Sequence, residues 1–379
     1  MRYRTCSKLG WEASALGFGA MRLPVIDDDA GQIDEPKAIE LIRHAVDQGV
    51  NYVDTAYPYH KGASEVVVGK ALQGGYRDKV KLVTKMPCWL VKEPADFDTF
   101  LNEQLARLQT DHLDAYLLHA LWSERWEQMK KLDVFSWAAR AVADGRIGTL
   151  GFSFHGTASL FKEIIDSYDW KLCQIQWNFL NERLQAGTEG LEYAGKKGIA
   201  VVVMEPLLGG AIARPPPSVE PVWREANRQP VDVALRWIWD RPETSVILSG
   251  MGTLDQLREN LAIADRSAPG SLSPEEHALV RRVREAYDEL DSVPCTQCGY
   301  CVPCPNGVDI PGNTALFNSA VYGNRDLARA IYTHHFSQAA RAGACTACRA
   351  CEEECPQQIE ISAWMKRIDA ELLVKEETA

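Results

Sequence analysis

The chain has 379 residues, 46% of them hydrophobic, with 41 Lys+Arg against 52 Asp+Glu and a formal net charge of −11 at pH 7. That apolar content excludes a disordered chain, and a length beyond the roughly 250–300 residues at which single cores stop growing predicts one large domain with a smaller one. The acidic balance, with no Lys/Arg-rich block to offset it, excludes nucleic acid and anionic membrane surfaces as partners.

The opening MRYRTCSKLGWEASALGFGAMRLP holds no continuous apolar run of a secretory signal, and no later stretch approaches the ~18 apolar residues of a membrane span. With Cys6, Cys88 and Cys173 scattered and unpaired in sequence, a cytoplasmic protein is expected. From residue 15 to 265, short β-like runs alternate with amphipathic stretches. The runs are ALGFG (15–19), NYVDT (51–55), KLVTK (81–85), DAYLLH (114–119), TLGFSF (149–154), LCQIQW (172–177), AVVVM (200–204) and SVILS (245–249). Segments 36–49, 96–109, 124–145, 157–168 and 253–265 are apolar at helical spacing, with Pro36 at a helix start and Gly49, Gly145 and Gly198 just past helix ends. Eight strands in a βα alternation predict a TIM barrel, whose active site lies at the C-terminal strand ends. A trailing helix over 274–292 follows, opened by Ser273 and Pro274. A doubly wound sheet would need G-x-G-x-x-G, and GFGAMR (17–22) lacks the third glycine.

On that barrel the second, third and fourth strands deliver Asp54, Lys85 and His119 to one rim, with Tyr57 and Tyr59 in the loop after Asp54. Singly, each has a structural reading: a cap, a solvated lysine, a hydrogen-bonded histidine. Together they suit carbonyl reduction. As hydride reaches the carbonyl carbon, the oxygen becomes an alkoxide that needs a proton from a positioned acid. A tyrosine, of ordinary pKa near 10, serves as that acid beside a lysine ammonium within ~4–6 Å. Asp54 would hold Lys85 charged, and His119 would donate to the carbonyl oxygen or orient it. Spacing alone leaves both Tyr57 and Tyr59 open as the donor. Trp89, Trp122 and Trp177 follow the third, fourth and sixth strands, where they either line an apolar substrate cleft or pack loops.

Residues 2–265 resemble the aldo/keto reductase superfamily: the first 24 residues look like its opening hairpin and first strand, NYVDTAYPY carries its Asp with Tyr five positions on, and LVTK and LLH carry its Lys and His. The resemblance implies a catalytic set of Asp54, Tyr59, Lys85 and His119, which selects Tyr59 over Tyr57. It implies NAD(P)H-dependent reduction of an aldehyde or ketone, or the reverse oxidation of an alcohol. It also implies cofactor contacts from Gly19, Ala20, Met21 and Asp54, and from Ser153 and Gln176 to the nicotinamide carboxamide. Met204 stands in place of a stacking aromatic, and Phe154 in place of an Asn. The later loops bring Pro206, Leu207 and Gly209, then Gly250, Met251, Gly252, Gln256 and Asn260, toward pyrophosphate and adenosine, with glycines allowing close backbone approach. Gly250 and Gln256 replace the basic clamp of NADPH-selective members, so NADP(H) and NAD(H) both stand.

Eight of the eleven cysteines fall in CTQCGYCVPCP (295–305) and CTACRACEEECP (345–356). The second run is C-x2-C-x2-C-x3-C-P, the ferredoxin-type [4Fe–4S] pattern, and the first is one residue shorter. Repeated C-x2-C also suits zinc; the third cysteine and the paired Cys-Pro endings favour iron–sulfur. Residues 308–344 and 361–373 read as helical, with His334 and His335 as exposed helix residues. This part resembles the α-helical dicluster ferredoxin domains. That likeness implies one cluster on Cys295, Cys298, Cys301 and Cys355 and another on Cys345, Cys348, Cys351 and Cys304, with a single cluster as the alternative. The expected domains are 1–291, a barrel with its trailing helix, and 292–379, a small helical cluster domain, the combination of an iron–sulfur branch of the aldo/keto reductases. The expected partners are a small carbonyl or alcohol substrate and a redox partner protein. The competing reading is a redox-sensing or electron-transfer protein whose barrel binds nucleotide with little turnover.

Overall fold

The computed structural model describes residues 1–373 except Ser7, Asp28 and His335. The chain divides into two compact units, Met1–Pro206 with Ala234–Leu272, and Leu207–Val233 with Ser273–Ala379.

In the first unit an antiparallel hairpin of β1 (Tyr3–Cys6) and β2 (Trp11–Ser14) precedes a closed barrel of eight parallel strands. These are β3 (Leu16–Gly19), β4 (Tyr52–Asp54), β5 (Lys81–Met86), β6 (Ala115–Leu121), β7 (Leu150–Phe154), β8 (Leu172–Gln176), β9 (Ala200–Met204) and β10 (Thr244–Ser249), with β10 pairing back onto β3. Each expected run is a strand. They read as near-continuous apolar stretches because one face of each strand fills the barrel and the other lies under helices. The hairpin's Cys6 and Ala13 pack with Tyr52, Val83 and Ala115 in one core cluster, joined by Leu9 and Trp11. That hairpin closes the N-terminal end of the barrel, so the opposite end is the one available for chemistry.

The helices follow the expected pattern with one correction. Residues 124–145 form two helices, Ser123–Lys131 and Val134–Ala143, because Asp133 adopts a left-handed φ of 55°, which a short polar side chain tolerates better than a β-branched one. In the C-terminal region the stretch 308–344 is helical as expected, with Ile310–Ser319 running through a π turn at Ala320–Asn324 into Arg325–His334. With Ile361–Leu372 these helices enclose a small core of Val308, Phe317, Tyr332, Ile359, Met365 and Ile368. Among the described residues no helix is long and apolar enough to cross a membrane.

A short helix between β4 and β5, Ser64–Ala71, escaped the periodicity reading. It lies against the helix Ala95–Leu108 so closely that a Cβ on Gly69 would stand 2.7 Å from the Arg107 and Leu108 carbonyl oxygens. Gly69→Ala should therefore lower stability by about 1–3 kcal/mol through overpacking, outweighing the ~1 kcal/mol that alanine gains over glycine in a helix; a lower Tm in thermal unfolding checks it.

Candidate active site and cysteine centres

Asp54 ends β4, Lys85 lies in β5 and His119 in β6, so three adjacent strands present them side by side. After Asp54 the chain tightens into a turn, Tyr59–Gly62, with His60 and Lys61 at φ 53° and 54°. The Lys85 ammonium donates to Asp54 Oδ1 at 2.6 Å and to the Thr55 carbonyl at 2.8 Å, and stands 3.4 Å from the Tyr59 hydroxyl. The Tyr59 and His119 rings lie 6.1 Å apart, nearly perpendicular at 81°. All four residues expected from sequence are together. Tyr57 is not with them. Its hydroxyl donates to Glu103 at 3.3 Å and its ring lies under Arg107, so it faces the helix Ala95–Leu108.

Lys85 has no exposed surface and Asp54 almost none. Burial lowers the Lys85 ammonium and raises the Asp54 carboxyl, and their 2.6 Å pairing opposes both shifts. Asp54 Oδ2 is buried without a hydrogen-bond partner among the described residues. His119 is held well below the usual imidazole range by burial, then by the charges of Lys85 and Arg125 and by His155, so it is neutral at pH 7.

Two groups here went unread in the sequence. Glu65, fully buried, accepts from Thr84 Oγ1 at 2.6 Å and from Gln104 Nε2 at 2.5 Å, directly behind Lys85. Its one sequence signal is an acid in the otherwise apolar helix SEVVVGKA. His155 follows β7, and burial pulls it to about 4. Phe154, standing for the family's Asn, is turned away from the rim onto Phe152 and Phe161, whereas His155 Nδ1 lies 3.2 Å from Gln185 Oε1, and Gln185 Nε2 donates to Gln176 at 3.2 Å.

The other expected cofactor residues divide. Gly19 ends β3, and a Cβ there would stand 3.4 Å from the Ser249 carbonyl; a Cβ on Gly250 would stand 3.0 Å from Arg22 Cβ, and Gly252 donates its N–H to Gln256 at 2.9 Å. Ala20 and half-buried Met21 lead into Arg22, a basic residue beside the Gly250 loop that the sequence reading did not single out. Glycine backbone with the stem of an arginine packed against it suits a phosphate-bearing cofactor. Met251 is buried, Asn260 is buried with its amide on Ser249 Oγ at 2.9 Å, and Ser153 Oγ accepts from the Ala120 N–H at 2.7 Å. Met204 Sδ accepts from Gln174 at 3.4 Å. Pro206 is in the first unit, whereas Leu207 and Gly209 belong to the second. Of the tryptophans, Trp177 is a packing residue, stacked on Trp237 at 4.4 Å, whereas Trp89 lies 5.3 Å from His119 and Arg125 covers both Trp89 and Trp122.

In the second unit the two cysteine runs share one backbone design. The N–H of Gln297 points to Cys295 Sγ and that of Ala347 to Cys345 Sγ, each at 3.4 Å, with left-handed φ at Gln297 and Ala347 and again at Gly299 and Arg349. After the fourth cysteine of each run, Gly307 and Gln358 donate back to the Cys304 and Cys355 carbonyls, and a helix begins at Ile310 and at Ile361. In the sequence this internal repeat shows as the shared C-x2-C-x2-C start and Cys-Pro ending of the two runs. A pocket is lined by Cys295, Cys298, Cys301 and Cys355 with Ile310 and Ile359. Burial pushes the Cys301 thiol up to about 12, with Cys298, Cys295 and Cys355 adding to the rise. Cys351 is pushed to about 11 by burial and by Cys345, with Cys304 contributing. Asn306 donates to Thr346 at 2.9 Å and approaches Cys348 Sγ at 3.8 Å. Cys295, Cys298, Cys301 and Cys355 thus line one pocket, and an apolar pocket walled by four thiols fits a cubane cluster; of the second expected foursome, Cys351 lies within electrostatic reach of Cys345 and Cys304. His335 lies outside the described residues.

Residues 15–285 match the aldo/keto reductase family and residues 294–360 match a 4Fe-4S dicluster domain. The chain belongs to the aldo/keto reductase family. It is an oxidoreductase with a C-terminal ferredoxin-type 4Fe–4S domain. It is 28% identical over 263 residues to an uncharacterized oxidoreductase of Schizosaccharomyces pombe, covering 66% of this chain and 81% of that one. It is 24% identical over 316 residues to L-galactose dehydrogenase of Arabidopsis thaliana, covering 76% and 95%. Its fold resembles the holo form of the aldo-keto reductase AKR11C1 from Bacillus halodurans, with a TM-score of 0.63 at 24% identity over 75% of this chain and 96% of that one.

Removing one member of a buried ion pair strands the other in low dielectric. Lys85→Met should cost about 3–5 kcal/mol of stability, and the double variant Asp54→Asn/Lys85→Met should recover most of it, as read by denaturant unfolding.

Proposed function

We propose that the protein reduces an aldehyde or ketone to the alcohol, and runs the reverse oxidation, with Tyr59 as general acid and base. The supporting observation is the Lys85 ammonium 3.4 Å from the Tyr59 hydroxyl, held by Asp54. The nicotinamide cofactor supplies the hydride. As charge develops on the carbonyl oxygen, Tyr59 gives it the phenolic proton, and the adjacent ammonium stabilises the phenolate left behind. His119, neutral because it is buried beside cations, donates an N–H to the same oxygen without adding a proton of its own. Arg22, Gly19, Gly250 and Gly252 would hold the cofactor's phosphates, and His155 with Gln176 its carboxamide. NADP(H) and NAD(H) are both compatible with these residues; an aldo/keto reductase of Klebsiella pneumoniae with this fold is in complex with NADP and acetate.

The reading extends to two [4Fe–4S] clusters in residues 292–379, on the two cysteine foursomes, serving a reductase portion of residues 1–291 in the cytoplasm, where thiolates stay reduced. A redox partner protein would exchange single electrons with them.

Tyr59→Phe should remove carbonyl reduction by at least about a thousandfold while NAD(P)H fluorescence still reports binding, and Tyr57→Phe should retain turnover. Equal loss in both variants would contradict the assignment. Anaerobically purified protein should contain eight iron and eight acid-labile sulfide per chain; four of each would mean one cluster, and zinc without sulfide would falsify the iron–sulfur reading.

A further inference from the structure

The titratable groups around Lys85 are Asp54 on β4 and Tyr59 in the following turn, at 2.6 Å and 3.4 Å from its ammonium, and, acting on it or feeling it through charge, Glu65 on the helix Ser64–Ala71, His119 on β6 and His155 after β7. Only Glu65 has no part in the proposed catalysis or cofactor binding. A fully buried carboxylate is costly unless paired and hydrogen-bonded, and Glu65 is fully served: Thr84 and Gln104 on Oε1, Arg107 on Oε2 at 3.2 Å. Two of these donors tie Glu65 to β5 at Lys85. Thr84 precedes Lys85, and Gln104 Nε2 also donates to the Lys85 carbonyl at 3.0 Å, while Gln104 Oε1 accepts from Tyr116 at 2.5 Å. Arg107 in turn meets Glu103, which takes the Tyr57 hydroxyl.

We infer that Glu65 is a positioning residue that sets the protonation of Lys85, a buried carboxylate tied through Gln104 to the Lys85 backbone while Asp54 pairs with the ammonium itself. The inference rests on the reductase reading for its catalytic meaning, though not for its electrostatics. Without Glu65, burial competes with Asp54 alone, and the coupled group of Lys85, Tyr59 and Asp54 gives up its proton at lower pH. Arg107 acts with the opposite sign: its removal leaves more of the Glu65 charge directed at Lys85.

The test compares wild type with Glu65→Gln, Arg107→Met and Gln104→Met. Gln104→Met breaks bonds of the same network without changing charge. Two readouts are taken: the alkaline limb of kcat/KM, and the titration of Lys85 in protein labelled with 13Cε-lysine, its resonance assigned with Lys85→Arg. Expected is a fall of about one pH unit in Glu65→Gln, a rise in Arg107→Met, and no movement in Gln104→Met despite a lower Tm. Unmoved midpoints in Glu65→Gln, equal movement in Gln104→Met, or a fall in Arg107→Met overturns the proposal. If Glu65→Gln does not fold, the sign of the Arg107→Met shift decides. The lysine titration needs no turnover. Shifts of the expected sign in a protein that reduces no carbonyl leave the electrostatic role standing and refute the reductase reading; unmoved shifts in an active enzyme do the reverse.

Discussion

A lysine ammonium with no exposed surface, at the C-terminal mouth of a barrel, is the constraint that organises this end of the first unit. Taking a charge out of water costs several kcal/mol even after relaxation, and only fixed opposite charge and complete hydrogen bonding offset it. Each compensating group comes from a different element. Asp54 arrives through the pairing of β4 with β5, in which Asp54 lies beside Val83. The Thr55 carbonyl arrives as the chain leaves that strand, and Glu65 by a helix that Gly69 lets settle against its neighbour. A one-residue slip of β4 against β5 would turn the Asp54 side chain to the other face, so the strand register and the charge state of the site are one requirement.

The same requirement separates the chemical characters of the two groups flanking a substrate oxygen. Protein dipoles and charges already surround Lys85, so little needs to reorganise when charge develops on Tyr59. His119 is kept neutral by burial first and by the neighbouring Lys85 and Arg125 charges second. One fixed cation and one neutral imidazole thus follow from a single buried charge.

The barrel was legible because its strands are buried on both faces and write themselves as apolar runs, and the tetrad because chemistry needs its residues at strand ends. Tyr57 and Tyr59 could not be separated by spacing, since both sit in one turn; what separates them is Glu103 and Arg107, far along the chain, drawing Tyr57 outward. Glu65 was invisible for a related reason. Its partners come from a strand and a helix elsewhere in the sequence, and a buried acid in a short helix has no periodic signature. His155 lay one position past the residue on which the family comparison fixed attention. Asp133 broke a helix whose apolar spacing was continuous, because a single left-handed residue leaves hydrophobic periodicity intact.

In the C-terminal region the repeat decides what the cysteines can do. Each knuckle, at Cys295 and at Cys345, has the same backbone turns and the same N–H aimed at its first sulfur, so the two halves of the region are built on one plan. The cavity of the first knuckle is closed by Cys355 from the end of the second run, and Cys304 from the first run lies with Cys345 and Cys351. Neither half is complete alone. The hydrophobic core between them is small, and regions of this size generally need a staple beyond burial. A centre bound by such an exchange of cysteines would tie the two ends of the region together whatever its oxidation state, so holding the fold and carrying electrons would not be competing roles: the second would depend on the first.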